Sequence, residues 1–256
     1  MSSLVRKVLQ GFRRTLKGAR RSIGRRAKGD TYSERVMTRL NAGKTHASLG
    51  PRLKSGSAER AQRTLDRLVE RGLQPDHIFV DYGCGTLRVG ALLINYLTPD
   101  RYVGLDIDQR LLDLGRDMLP AEVARDKRPT LRVISPEAVN EAAARRPDWI
   151  FSNGVVQHIP PTELAPYFTN IRELATHQTK ILIKLSKLKE KSYRKSPNTW
   201  IHSLVEVESA LKRAGLSVER FTATSGGTGG WLFLQNDQGE RSSSTSSSIG
   251  IERKLD

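Results

Sequence analysis

The 256-residue chain has a single cysteine, Cys84. This excludes an internal disulfide and any multi-cysteine zinc site, and it fits a chain kept in a reducing cytosol. Cys84 itself reads as a small residue filling a tight loop. No apolar run approaches the roughly 18 residues a membrane-spanning helix needs, so any membrane contact is expected to be peripheral. No internal repeat is evident. The five histidines lack metal-ligand spacing, and His46, His77, His177 and His202 read as structural or exposed. The length suits one sizeable α/β domain with extensions.

Acidic residues are scarce at one end. Residues 1–30 hold ten Lys and Arg against Asp30 alone, which supplies +9 of the formal +16. Leu4, Val8, Phe12 and Leu16 recur every four residues there, so the segment reads as an amphipathic helix with a basic polar face, weakened by Gly11, Gly18 and Gly24. An anionic membrane surface is the expected partner of residues 1–28. A solvated or partner-docking tail, a nucleic-acid arm and an organellar transit peptide are the competing readings. A secretory signal is excluded by the want of an apolar region after the charges. Residues 31–56 read as a linker or lid, 57–235 as the folded domain, and the Ser-rich 236–256 as a disordered tail.

The centre of the domain is the stretch from His77 to Gly90, HIFVDYGCGTLRVG. A short apolar run ends on Asp81, breaks at Gly83 and Gly85, and gives way to Val89, Leu92, Leu93 and Tyr96 at helical spacing. Glycine at that switch lets a ligand approach the backbone. About 20 residues on, a second apolar run ends on Asp106, an acid placed to accept from two ribose hydroxyls. Together these point to a nucleoside cofactor. Dinucleotide binding would want a third glycine where Arg88 stands, and a Walker loop would want Gly-Lys-Ser/Thr. Asp81 beside a pyrophosphate would repel it, whereas an ammonium or sulfonium would be favoured.

The stretch resembles motif I of the class I S-adenosylmethionine-dependent methyltransferases, in its Asp-x-Gly-x-Gly-Thr form, with Leu105-Asp106-Ile107 as the second motif. The resemblance implies an α/β, Rossmann-like fold: a seven-stranded, mostly parallel sheet with a C-terminal antiparallel hairpin and helices on both faces. It also implies S-adenosyl-L-methionine as cofactor. Asp81, Gly83 and Gly85 would hold its methionine part, Asp106 the ribose, Ile107 one face of adenine, and Asn153 the region beside the methyl. Arg88 would pair with the cofactor carboxylate or face solvent. An acid after the third strand is usual for the adenine amino group, but Ser135-Pro136-Glu137 offers only Glu137, which equally starts a helix.

Further along, Trp149 to Phe151 read as a fourth strand leading into Asn153-Gly-Val-Val-Gln-His158. Within the resemblance His158 lies where several relatives carry a general base, and Gln157 is a candidate acceptor contact. A neutral imidazole suits removal of a proton from an alcohol. Substrate positioning, and capping or packing of the following helix, are the alternative roles for His158. A helix from Ser57 stopped by Gly72 and Pro75 is expected, then one over 108–119, a strand at 131–134, a helix over 161–176 and a strand at 180–185. A basic loop follows, carrying Lys187, Lys189, Lys191, Arg194 and Lys195, which could select a phosphate- or carboxylate-bearing substrate. A last helix over 203–214 and strands at 218–223 and 231–235 complete the domain. The expected activity is O-methylation of a small molecule or glycan precursor near a membrane surface. RNA or DNA methylation, and a non-catalytic methyltransferase-like binding protein, are the alternatives. The amino-directed nucleic-acid motif Asn/Asp-Pro-Pro-aromatic, the paired thiols of cytosine-C5 RNA enzymes and the glutamate pair of arginine methylation are all missing.

Overall fold

The computed structural model describes residues 57–196, 199–223 and 229–236. The basic amphipathic segment, the linker or lid and residues 237–256 of the tail lie outside them.

Among the described residues the strands are β1 (Phe79–Tyr82), β2 (Tyr102–Asp106), β3 (Thr130–Val133), β4 (Trp149–Asn153), β5 (Lys180–Leu185), β6 (Leu188–Lys189), β7 (Tyr193–Ser196), β8 (Thr199–Ser203), β9 (Leu216–Ala223) and β10 (Gly230–Asn236). Seven of them form one sheet in the order β3-β2-β1-β4-β5-β10-β9. Strands β1 to β5 are mutually parallel, and β10 enters antiparallel between β5 and β9. Every residue of β1 and β2 is buried, as expected of central parallel strands covered on both faces.

The helices are α1 (Ser57–Glu70), α2 (Gly90–Tyr96), α3 (Gln109–Asp117), α4 (Ala121–Lys127), α5 (Pro136–Ala144), α6 (Leu164–Leu174) and α7 (Leu204–Ala214). On one sheet face Val80, Tyr82, Val103 and Leu105 pack with apolar residues of α5, α6 and α7. On the other, Phe79, Trp149, Phe151, Trp231 and Phe233 pack with α1, α2 and Leu112 of α3. The expected stripe of α1 is present in Ala61, Leu65 and Leu68, while Val69 stays exposed. Full burial of a leucine such as Leu68 contributes roughly 1.5–3 kcal/mol. Gly72, at φ +89°, ends α1, and Leu73 N–H reaches back to the Leu68 carbonyl at 3.0 Å to close its last turn.

Four details differ from the sequence reading. The helical spacing read from Val89 begins as a helix at Gly90, because Leu87 at φ 60° keeps the preceding residues in the loop. Helix α4 was not expected; it has no fully buried residue, and only the partly buried Val123 and Ala124 pack on the core. The basic loop is a small sheet, ordered β6-β8-β7. The folded domain extends one residue past 235, since Asn236 closes β10 and its amide donates to the Ala175 carbonyl at 2.9 Å.

Candidate functional site

Strand β1 lies between β2 on one side and β4 on the other, so the crossovers diverge at the carboxyl ends of β1 and β4. Open α/β sheets bind ligands in the crevice such a switch creates. The glycine loop begins there. Gly83 N–H and Cys84 N–H both donate to the Leu105 carbonyl, at 2.7 and 3.1 Å, which ties the loop to β2. Gly83 takes φ +86°, and a Cβ on it would overlap the Val155 side chain. Gly83→Ala is therefore expected to destabilise the fold by about 2–4 kcal/mol through strain and overpacking, read as a lower urea midpoint. Gly85 differs: a Cβ there would meet nothing within 4 Å. Its surroundings are open space, with room for a ligand against the backbone.

Two carboxylates flank this loop. Asp106 accepts from Gly85 N–H at 2.7 Å and from Ile107 N–H at 2.8 Å. Burial nonetheless raises its pKa to about 6, the amides of Gly85, Ile107 and Asp108 opposing the shift. Asp81 is more deeply held, with one described hydrogen bond, from the Tyr102 hydroxyl at 2.9 Å. Burial raises its pKa to about 7; the Tyr102 bond opposes this, the Asp106 charge adds to it, and Arg88 opposes it. Among the described residues neither acid is in a salt bridge. A Cβ on Gly90 would overlap the Tyr102 hydroxyl, so glycine at the start of α2 makes room for the Tyr102–Asp81 bond.

At the end of β4, Ser152 donates to the Tyr82 carbonyl and accepts from the Tyr167 hydroxyl, both at 2.7 Å, which fixes the strand before Asn153 leaves it. Asn153 is half-buried and in register with Lys184. Gly154 turns the chain at φ +81° into a 3-10 turn, Val156–His158. His158 is buried; its Nε2 lies 3.2 Å from Gln157 Nε2, which also donates to the Gly154 carbonyl at 3.3 Å. His202 Nε2 is 2.9 Å from the Val156 carbonyl. A carbonyl only accepts, so Nε2 carries the proton and His202 pins the turn. Burial lowers the His202 pKa, which keeps the ring neutral.

The structure thus gathers Asp81, Gly83, Gly85, Asp106 and Ile107 at one loop, and Asn153, Gln157 and His158 after the neighbouring strand. The Gly83–Val155 approach joins the two groups. Ile107 is an exposed apolar side chain next to Asp106. Arg88 is exposed, its charge acting on Asp81 and Lys184. Glu137 is exposed in the first turn of α5, where Ser135 caps the helix through Ala138 N–H at 3.2 Å. The contacts of Tyr102 and Ser152 were not foreseen, while His202, read as structural or exposed, is a buried structural residue. Their partners lie 21, 70 and 46 residues away, beyond any local pattern.

Sheet order, helices on both faces and the inserted antiparallel β10 define the Rossmann-like fold of the class I methyltransferases. A scan against protein-family models and a search of curated proteins both find no match. Among solved structures, the chain is similar in fold to magnesium protoporphyrin IX methyltransferase of Synechocystis with bound S-adenosylmethionine. That pair is 15% identical, with 82% of this chain and 100% of that one covered and a TM-score of 0.58. It is also similar to DesVI of Streptomyces venezuelae (14% identity, coverage 82% and 99%, TM-score 0.52). A third is the glycopeptide N-methyltransferase MtfA complexed with sinefungin (15%, coverage 73% and 98%, TM-score 0.51).

Proposed function

We propose that the protein is an S-adenosylmethionine-dependent methyltransferase acting on a small-molecule or glycan-precursor hydroxyl near a membrane surface. The observation that carries the cofactor is Asp81, a buried carboxylate with no ionic partner among the described residues, beside a glycine loop open at Gly85. Burial makes an ionised Asp81 costly until a cation meets it, and S-adenosylmethionine brings an ammonium and a sulfonium. A dinucleotide would bring pyrophosphate to the same place and be repelled. Asp106 would accept from the ribose hydroxyls, Ile107 would cover adenine, and Arg88 would reach the cofactor carboxylate. Two of the neighbours in fold were crystallised with S-adenosylmethionine or sinefungin, in keeping with this reading.

When bound, the cofactor supplies a methyl group activated by its sulfonium. The chain's own contribution is alignment, exclusion of water and handling of one proton. Asn153 stands at the strand end nearest the reacting region, and Gln157 would contact the acceptor. His158 Nε2 would take the hydroxyl proton as the oxygen attacks. The basic strands β6 and β7, with Lys189, Arg194 and Lys195, would draw an anionic acceptor, and residues 1–28 would bring the enzyme to an anionic bilayer. Deleting 1–28 is expected to abolish sedimentation with anionic vesicles while sparing cofactor binding; persistent sedimentation would overturn the membrane role.

Calorimetric titration with S-adenosylmethionine, S-adenosylhomocysteine and NAD tests the central reading. Binding of both adenosyl compounds and none of NAD is expected. In Asp106→Ala the loss of two charge-assisted hydrogen bonds to ribose should weaken binding by about 100-fold, or ~3 kcal/mol. Unchanged affinity would remove Asp106 from the ribose, and no binding by the wild type would leave a non-catalytic binding protein.

A further inference from the structure

The face of the sheet beneath α1 carries a set of cations that the cofactor reading does not use. Arg67 of α1 lies 5.3 Å and Lys184 of β5 lies 4.9 Å from the centroid of the Trp231 ring. One step along β10, Arg71 lies 5.3 Å and Arg220 lies 4.2 Å from the Phe233 ring. Each ring thus serves two cations. A ring face attracts a single cation by about 0.5–1 kcal/mol or more, but a second brought to the same ring adds repulsion. That repulsion is registered in the groups themselves: the Lys184 pKa is lowered by burial and by Arg67 and Arg88, and that of Arg71 by burial, Arg67 and Arg220.

Among the described residues no acid forms an ion pair with Arg67, Arg71, Arg88, Lys184 or Arg220. Glu70 acts on Arg71 at a distance, as the last and smallest influence on it. Two N–H donors in the same cluster also lack an acceptor, Trp231 Nε1 and Arg71 Nε, although Trp231 is 2% exposed. Arg71 Nη1 is already spent on the Arg67 carbonyl at 3.2 Å. Everything left over is a cation or a donor, so the complement is an anion rich in acceptor oxygens.

The cluster is also placed with respect to the candidate site. Lys184 is in register with Asn153 on one side and with Trp231 on the other. Arg88 follows the glycine loop and acts on both Asp81 and Lys184. From this mouth the cations lead away along β10 toward Arg220. Because Trp231 and Phe233 are buried within the core, no base could stack on them, which is what a single-stranded nucleic acid would require.

We propose that Arg67, Arg71, Lys184 and Arg220 form a binding site for a phosphate or diphosphate ester. As an anchor for the methyl acceptor it rests on the proposed methyltransferase activity; as an anion site it stands alone. The probe is sodium pyrophosphate, titrated into the full chain at constant ionic strength, with S-adenosylmethionine titrated separately. Wild-type protein is expected to bind pyrophosphate, and the Arg67→Gln/Lys184→Gln double variant to bind it at least about 10-fold more weakly, with S-adenosylmethionine affinity unchanged. Arg220→Gln, at an exposed residue that should not disturb folding, is expected to weaken pyrophosphate binding as well. Absence of wild-type binding, or equal affinity in all three proteins, would overturn the site. Loss of S-adenosylmethionine binding in the wild type would instead count against the activity and leave the anion result standing. Two further arms separate the sources of the phosphate. Binding of glucose 1-phosphate that is lost in the variants supports a soluble ester. Release of the protein from phosphatidylglycerol vesicles by pyrophosphate, absent in the variants, supports a lipid-borne one.

Discussion

Replacing Asp81 with asparagine is expected to make the cofactor-free protein more stable while removing most of its affinity for S-adenosylmethionine. The first half follows from burial. The carboxyl ionises near pH 4 in an unfolded chain and near pH 7 in the fold. Between those values the folded state holds the proton more tightly, so stability is full below about pH 4 and falls as pH rises to about 7. Asp106 adds a smaller slope of the same sign, ending near pH 6. The gap between the two Asp81 values corresponds to roughly 4 kcal/mol of stability lost at pH 8. Asparagine keeps an acceptor for the Tyr102 hydroxyl but strands an amide NH2, so the net gain is about 2 kcal/mol. The second half follows from charge: the variant lacks the anion proposed to meet the cofactor's ammonium, which should cost about 100-fold in affinity. Urea titrations at pH 5 and pH 8, with and without S-adenosylmethionine, measure both. A variant less stable than wild type at pH 8 would contradict the desolvation argument, and one that binds equally well would free Asp81 from the cofactor.

The parts of this site that could be read in the sequence are those whose geometry is local. Asp81, Gly83 and Gly85 fall within five residues, and Asp106 ends the next strand, so the spacing alone carries the strand–loop–strand arrangement. The fold was expected from the resemblance those residues carry to the class I methyltransferases, with the short apolar runs placing its strands. What could not be read depends on contacts between distant segments or on elements without a buried face. Tyr102 gives no sign in sequence of the bond to Asp81. Strand β7 is exposed at all four residues, so it shows no alternation, and its Arg194 and Lys195 look like a loop. Arg67, Lys184 and Trp231 are harmless singly; only α1, β5 and β10 packed together make them a cluster. His202 looked incidental until the 3-10 turn it holds was placed beside it.

That turn sets the terms for the second large effect. His158→Ala is expected to lower turnover by about 10²–10⁴-fold while leaving S-adenosylmethionine affinity unchanged, since general-base catalysis contributes on that order. The hydrogen bonds define the imidazole's state. Gln157 Nε2 donates to the Gly154 carbonyl, so the same amide group faces His158 Nε2 as a donor, and Nε2 must be the acceptor. The proton is then on Nδ1, and the lone pair a base needs is on Nε2, occupied by an amide that an incoming hydroxyl would displace. An acceptor found by a labelled methyl-transfer screen of glycan precursors makes the test possible. The acidic limb of the pH–rate profile should disappear in His158→Ala, and added imidazole should restore part of the rate. Gln157→Ala should raise KM more than it lowers kcat, because it removes the proposed acceptor contact without removing the base. If His158→Ala keeps wild-type turnover and the acidic limb while losing only stability, the residue packs the turn and the proton leaves by another route.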